Sequence, residues 1–170
     1  MSTPKSLALL GWAILILSIG SPASAVTGTD LHRLWDDACA ECHGHSADFS
    51  RRFLEVRDGR LRGRHHGDDL LRFMRHHYLR ADAVDAVYRM LLAQVQTPPR
   101  FREECSACHR GAADLLRASD VHWQGDSLRL GSGRSMREFL GGHRGLQPED
   151  IDFYQSLFER IAAEIGRPPG

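Results

Sequence analysis

Cys105-Ser106-Ala107-Cys108-His109 is the stretch around which this chain is organised, and Cys39-Ala40-Glu41-Cys42-His43 repeats its pattern 66 residues earlier. Both stretches have the form CxxCH, and together they contain all four cysteines of the chain. Thiol and imidazole groups both bind metals and cofactors, so each stretch predicts a cofactor site. The repetition predicts that the two halves of the chain carry the same kind of site.

CxxCH is the pattern by which c-type haem is attached. Its two cysteines form thioether bonds to the two vinyl groups of one haem, and its histidine binds the iron. Haem attachment accounts for every cysteine and for both adjacent histidines. The chain thus resembles the c-type cytochromes, specifically a small dihaem member with two covalently bound haem c groups. The resemblance implies that the attachment residues are Cys39, Cys42 and His43 for one haem and Cys105, Cys108 and His109 for the other.

A structural zinc site is the alternative for the cysteines. Two CxxC pairs can hold one tetrahedral zinc ion. Zinc would leave unexplained why a histidine directly follows each pair, so the haem interpretation is favoured.

Residues 1–25 have the features of a secretory signal peptide. Lys5 precedes an apolar run over residues 7–19, and Ala23-Ser24-Ala25 supplies small residues for cleavage. An uncleaved membrane anchor is the alternative, but 13 apolar residues in a helix span only about 20 Å of a hydrocarbon core about 30 Å thick. We expect export to a bacterial periplasm, where c-type cytochromes as a family acquire haem.

The charge balance names no partner, because the mature chain would hold 21 arginines against 22 acidic residues. The charges are unevenly distributed, and residues 51–80 hold nine arginines and four acids. The resemblance implies redox partner proteins, and this region is a candidate docking surface for an acidic one. An ordinary solvated surface is the alternative. Nucleic acid is not expected as a partner, because the basic stretch lacks interleaved aromatic residues for base stacking.

The chain matches itself without a gap at an offset of 66 residues. Recurring pairs include Phe73 with Phe139, Tyr88 with Tyr154, and Gly59 with Gly125. The repeat predicts two tandem haem modules, which we call module one (residues 26–96) and module two (residues 97–170). Pro98-Pro99 marks the boundary, because proline interrupts a helix and stiffens a connector.

Helical periodicity predicts the same set of helices in both modules. The apolar faces of segments 81–95 and 148–165 follow helical spacing. Shorter helices are expected at 30–39 and Arg100–Cys105 before the motifs, and at 69–78 and 135–142 later in each module. No strand is expected. The prediction is an all-α protein made of two small cytochrome c-like modules, each with a long Gly- and Arg-rich loop covering its haem.

The second axial ligand of each iron is predicted from the repeat. The commonest small cytochromes c use a methionine, but no methionine here recurs at the 66-residue offset. Among histidines outside the CxxCH motifs, only His77 and His143 recur, and each follows a phenylalanine by four residues, on the apolar face of a predicted helix. They are the predicted distal ligands. His76, Met74 and Met136 remain as alternatives.

Two histidines on each iron would leave no coordination site for a substrate. The ligation therefore predicts a carrier of electrons between redox partners rather than an enzyme, and no catalytic residue is expected. The alternative is a haem enzyme, peroxidase-like or acting on sulfur compounds, in which one axial position is open or displaceable.

Overall fold

The computed structural model describes residues 28–65 and 69–169. The predicted signal peptide, residues 1–25, lies outside this part of the chain.

Module one contains five helices and one β-hairpin within its described residues. The elements are α1 (Leu31–Ala38), α2 (Ala40–His43), α3 (Ser46–Phe53), β1 (Leu54–Arg57), β2 (Arg60–Gly63), α4 (Leu70–Met74) and α5 (Ala81–Gln96). Asp30 begins α1 by accepting a 2.9 Å hydrogen bond from the Arg33 backbone N–H.

Module two repeats this order with only one short helix missing, the counterpart of α2. The elements are α6 (Arg100–Cys105), α7 (Ala112–Ala118), β3 (Val121–Gln124), β4 (Ser127–Leu130), α8 (Met136–Gly141) and α9 (Pro148–Glu164). Pro148 is the first residue of α9, where its missing N–H costs no helical hydrogen bond. The helices before the motifs and at the module ends lie close to their predicted positions.

The prediction of an all-α protein is wrong. Helices dominate, but each module also contains a two-stranded antiparallel sheet, in the segment expected to be an irregular haem-covering loop. The register pairs Leu54 with Gly63 in module one and Val121 with Leu130 in module two.

The turn residues, and the alternation of apolar with polar residues in the strands, explain both hairpins. Asp58 and Gly59 form the first turn with φ of 52° and 69°, the two positive values that a type I′ turn requires. In the second turn Gly125 comes first, with φ of 58°. Apolar residues alternate with polar ones in both hairpins, so one face is buried while the other meets solvent.

The hairpins also show that the repeat is not free of gaps. The central turn residues Asp58 and Gly59 correspond in position to Gly125 and Asp126, an offset of 67 rather than 66. The match between Gly59 and Gly125 is therefore not a structural equivalence. The helices α4 and α8, which follow, return to the offset of 66.

Each module has its own hydrophobic core. The first core is built on α5 and the second on α9, and the clusters lie on either side of residues 96–99. Leu61 and Leu128, one from each hairpin, are both almost fully buried. The ends of the described chain meet, since the Gly28 backbone lies against Gly166. Across residues 28–65 and 69–169, no helix is both long and apolar enough to cross a membrane.

Candidate functional site

Aromatic rings cluster at the first CxxCH motif, and the Phe49 ring lies 4.7 Å from that of His43. The ring centres of His43 and His77 lie 5.9 Å apart with their planes at 60°. Phe73 stacks on His77 at 4.6 Å, and Trp35 lies 6.0 Å from His43. The structure thus brings together two predicted iron ligands that are 34 residues apart in sequence.

The backbone places these two histidines in different ways. His43 is the last residue of α2, and its N–H donates to the Cys39 carbonyl oxygen. His77 lies in the turn after α4, which is shorter than the predicted helix. Tyr78, the next residue, has a positive φ of 53°, which ends the helical path immediately after the histidine.

Module two repeats three of these ring contacts but has Leu115 at the position of Phe49. The ring centres of His109 and His143 lie 6.1 Å apart with their planes at 41°. Phe139 stacks on His143 at 5.3 Å, and Phe101 lies 6.2 Å from His109. Arg144 follows His143 with a φ of 57°, matching Tyr78 after His77. The four rings His109, His143, Phe139 and Phe101 thus lie 66 residues after their counterparts in module one.

The thiols of the two motifs are also placed alike. All four cysteines are free, with Cys39 and Cys105 half-buried and Cys42 and Cys108 exposed. Each motif therefore offers one thiol at the core edge and one at the surface.

Burial changes the ionisation of module one's motif. Burial, together with the charge of His77, lowers the pKa of His43. The neutral imidazole, which is the form that binds a metal, is therefore favoured. Burial raises the pKa of the Cys39 thiol, so the protonated thiol is favoured there.

The histidine pairs fit the space that one iron atom requires. A metal–imidazole bond is about 2.0–2.1 Å long and the bound nitrogen lies roughly 1.1 Å from its ring centre, so two imidazoles on opposite sides of one iron have centres about 6.3 Å apart. The separations of 5.9 and 6.1 Å are close to this value. The donor set of each site, the two thiols and one imidazole of the motif with a second imidazole beside it, is the set that a covalently attached, six-coordinate haem uses.

The alternative distal ligands lie elsewhere. Met74 and Met136 are buried in the first and second cores respectively. His76 is exposed, next to His77.

No family model, curated relative or solved structure matches this chain. Within residues 28–65 and 69–169, no group of three or more His, Cys, Asp or Glu side chains is arranged to hold a metal ion.

Sequence reasoning missed an aromatic ring near the histidine of each CxxCH motif. Trp35 and Phe101 recur at the 66-residue offset, each four residues before the first cysteine of its motif. A search for recurring aromatic type, rather than for identical residues, would have found them. The Trp35 indole N–H donates a 2.9 Å hydrogen bond to the Gly44 carbonyl oxygen and so ties α1 to the residue after His43.

Proposed function

We propose that this chain is a periplasmic dihaem c-type cytochrome that carries electrons between redox partners. Cys39 and Cys42 would attach the first haem, and Cys105 and Cys108 the second. His43 with His77, and His109 with His143, would be the axial ligands.

One observation carries the proposal. Around both CxxCH motifs, a second histidine ring lies beside the motif histidine at about the separation that a shared iron requires. A chance approach of two histidines in one module would not be expected to recur at the same sequence offset, with the same stacked phenylalanine, in the other.

The protein's residues would restrict the chemistry to electron transfer. Bound haem would supply a reversible one-electron change at iron. With His77 and His143 as the second ligands, each iron would be held by two imidazoles, so no substrate oxygen or peroxide could bind without displacing a histidine. Phe73 and Phe139, stacked on the distal rings, would hold those rings in place. Imidazole in place of a thioether ligand also favours the oxidised state and predicts a low reduction potential.

Mass measurement and an optical spectrum test the proposal. The exported protein should carry the mass of two haem groups and show a fully low-spin spectrum. His77→Gly and His143→Gly should each convert about half of the haem to a high-spin form, since each removes the distal ligand of one of two sites. Added imidazole should restore the low-spin spectrum, because it fills the vacated position.

His76→Gly is the matched control, since it removes the exposed neighbour of His77, and its spectrum should not change. A polypeptide without added haem would overturn the whole proposal. A high-spin fraction in the unmodified protein, or cyanide binding at a resting iron, would instead favour the haem enzyme.

The surface near His77 also supports the expectation of an acidic redox partner. Arg72 and Arg75 are exposed, and neither forms an ion pair with another described residue. Tyr78 projects from the same turn with 93% of its surface exposed. Module two differs, because Arg137 pairs with Asp152 and Arg144 donates to the Glu104 carbonyl oxygen. We propose that the partner docks at the α4 turn of module one.

A further inference from the structure

The two modules have little apolar contact with each other. The residues of the first core come from module one and those of the second from module two. Every pair of elements that packs extensively against each other also lies within one module. The connection between the modules therefore depends on the 96–99 segment, on the contact of the Gly28 backbone with Gly166, and on polar contacts.

Three ionic clusters join the modules. Each contains an ion pair formed within one module and a third group supplied by the other module. The clusters are Asp48 and Arg51 with Arg102; Asp114 and Arg117 with Asp30; and Arg160 and Glu164 with His32. The geometry across the modules is close, with 2.7 and 2.9 Å from Arg117 to Asp30 and 2.9 Å from His32 to Glu164.

Two of these clusters are built on the same repeated pair. Asp48 with Arg51 and Asp114 with Arg117 occupy equivalent positions at the 66-residue offset. Module one's pair contacts a cation of module two through its aspartate, whereas module two's pair contacts Asp30 of module one through its arginine. The two equivalent Asp–Arg pairs thus reach the other module through oppositely charged side chains.

The clusters lie around an open cleft of about 520 Å³ between the modules. Its walls come from both modules and include equivalent residues, among them Asp48 with Asp114, Arg51 with Arg117, and Gln94 with Arg160. Such lining is expected when two similar units meet across an approximate two-fold axis. Because the cleft is open, water and salt ions reach the Asp48–Arg102 pair on its wall, whereas the side chains of His32 and Glu164 are only 14% and 10% exposed.

Ion pairs that solvent can reach are individually weak and are screened by salt. A short connector keeps the two surfaces near each other, so even weak contacts can hold them together. We propose that the modules close on one another through these three clusters and swing apart about residues 96–99 when salt screens them. Opening would increase the distance between the His43–His77 and His109–His143 sites. The proposal is drawn from the contacts between the modules, and the cleft also borders the second site through His109.

Small-angle X-ray scattering of the purified chain tests the opening. The Debye length falls from about 20 Å in about 20 mM salt to about 3 Å in about 1 M salt, which is shorter than the spacing of many of these charges. The radius of gyration should rise by about 4 Å from a compact value of about 14 Å. The triple variant His32→Gln, Arg102→Gln, Arg117→Gln should be expanded already in low salt and should lose the salt dependence.

Arg137→Gln is the matched control, because the ion pair of Arg137 with Asp152 lies wholly within module two. This variant should be as compact as the unmodified chain. Circular dichroism must show unchanged helix content, so that expansion reports opening rather than unfolding.

If the triple variant fails to fold, Arg102→Gln and Arg117→Gln are measured singly. Each should lower the salt concentration at which the chain expands. A radius independent of salt, a compact triple variant, or single variants with an unchanged transition would each overturn the proposal.

Discussion

At the residue scale, the repeated tyrosines show that equivalent positions carry different contacts. The Tyr88 hydroxyl accepts a 2.9 Å hydrogen bond from the Leu61 backbone N–H and holds the hairpin onto α5. The Tyr154 hydroxyl donates to Glu104 at 2.7 Å and lies 3.5 Å from the Cys105 sulfur. Burial and these two contacts raise the pKa of Tyr154. Of these two tyrosines, Tyr154 therefore binds the helix α6, which leads into the CxxCH motif, and Tyr88 does not.

These different partners predict different costs for the same substitution. Tyr88→Phe should lower the free energy of unfolding by about 1–3 kcal/mol, because it leaves the N–H of buried Leu61 without an acceptor. Tyr154→Phe should cost about 1 kcal/mol or less, since Glu104 keeps its ion pair with Arg100 and its access to water. Urea unfolding followed by circular dichroism measures both. Tyr78→Phe, at an exposed position, is the control and should change nothing.

At the element scale, the hairpins and the helices at the module ends show which local sequence signals specify backbone structure. Alternating apolar residues around Asp58-Gly59 are a hairpin signal that was present in the sequence. The many arginines and glycines of this segment suggested a loop, but they do not prevent a hairpin from forming. In contrast, the helices at the module ends follow directly from apolar residues at helical spacing.

The hairpin turns should be intolerant of a side chain at their glycines. Gly59→Ala and Gly125→Ala should each reduce stability by about 1–2 kcal/mol, because φ of 69° and 58° is unfavourable for an L-residue. Gly141→Ala is the matched control: Gly141 is the last residue of α8, its φ is not in the left-handed region, and its Cβ would make only an ordinary 3.9 Å contact with Ile151. Thermal unfolding compares the three. Equal losses in all three variants would contradict the assignment of the cost to the turn.

The cap of α8 should affect the site through His143. Ser135 begins α8 in a capping box, in which its side chain accepts from the Glu138 N–H. Ser135→Ala should therefore cost about 1 kcal/mol. The loss should fray the helix that leads to His143, so the low-spin fraction of the proposed haem-bound protein should also fall on warming. Ser127→Ala, on the exposed start of β4, is the control for both measurements.

At the scale of the whole molecule, two similar units with separate cores are joined by charged contacts. Such a molecule can change the relation between its modules without unfolding either, because few apolar contacts must be broken. Carboxylates supply the negative charge in all three clusters, and this predicts a response to acid as well as to salt.

Acid should open the cleft before it unfolds the modules. Burial raises the pKa of Asp30 and of Asp48, but hydrogen bonds and charge from Arg117 and Arg102 outweigh burial and leave both below 3.8. A lowered pKa means that the paired, ionised form is stabilised above that value and loses this stabilisation as the pH falls through the folded-state pKa. Scattering should therefore show expansion below about pH 4. Expansion that begins only together with loss of helix would contradict the prediction.

The sequence by itself determined the two CxxCH motifs, the main helices and the recurrence of His77 and His143. Each depends on covalent spacing or on the period of a helix, which neighbouring residues specify locally. Only the tertiary structure decided that each pair of histidine rings lies about 6 Å apart. It also decided the partners of the two tyrosines and the charged contacts between modules. These depend on how elements distant in sequence pack, and a repeat of residue types does not specify packing, because equivalent side chains meet different neighbours in the two modules.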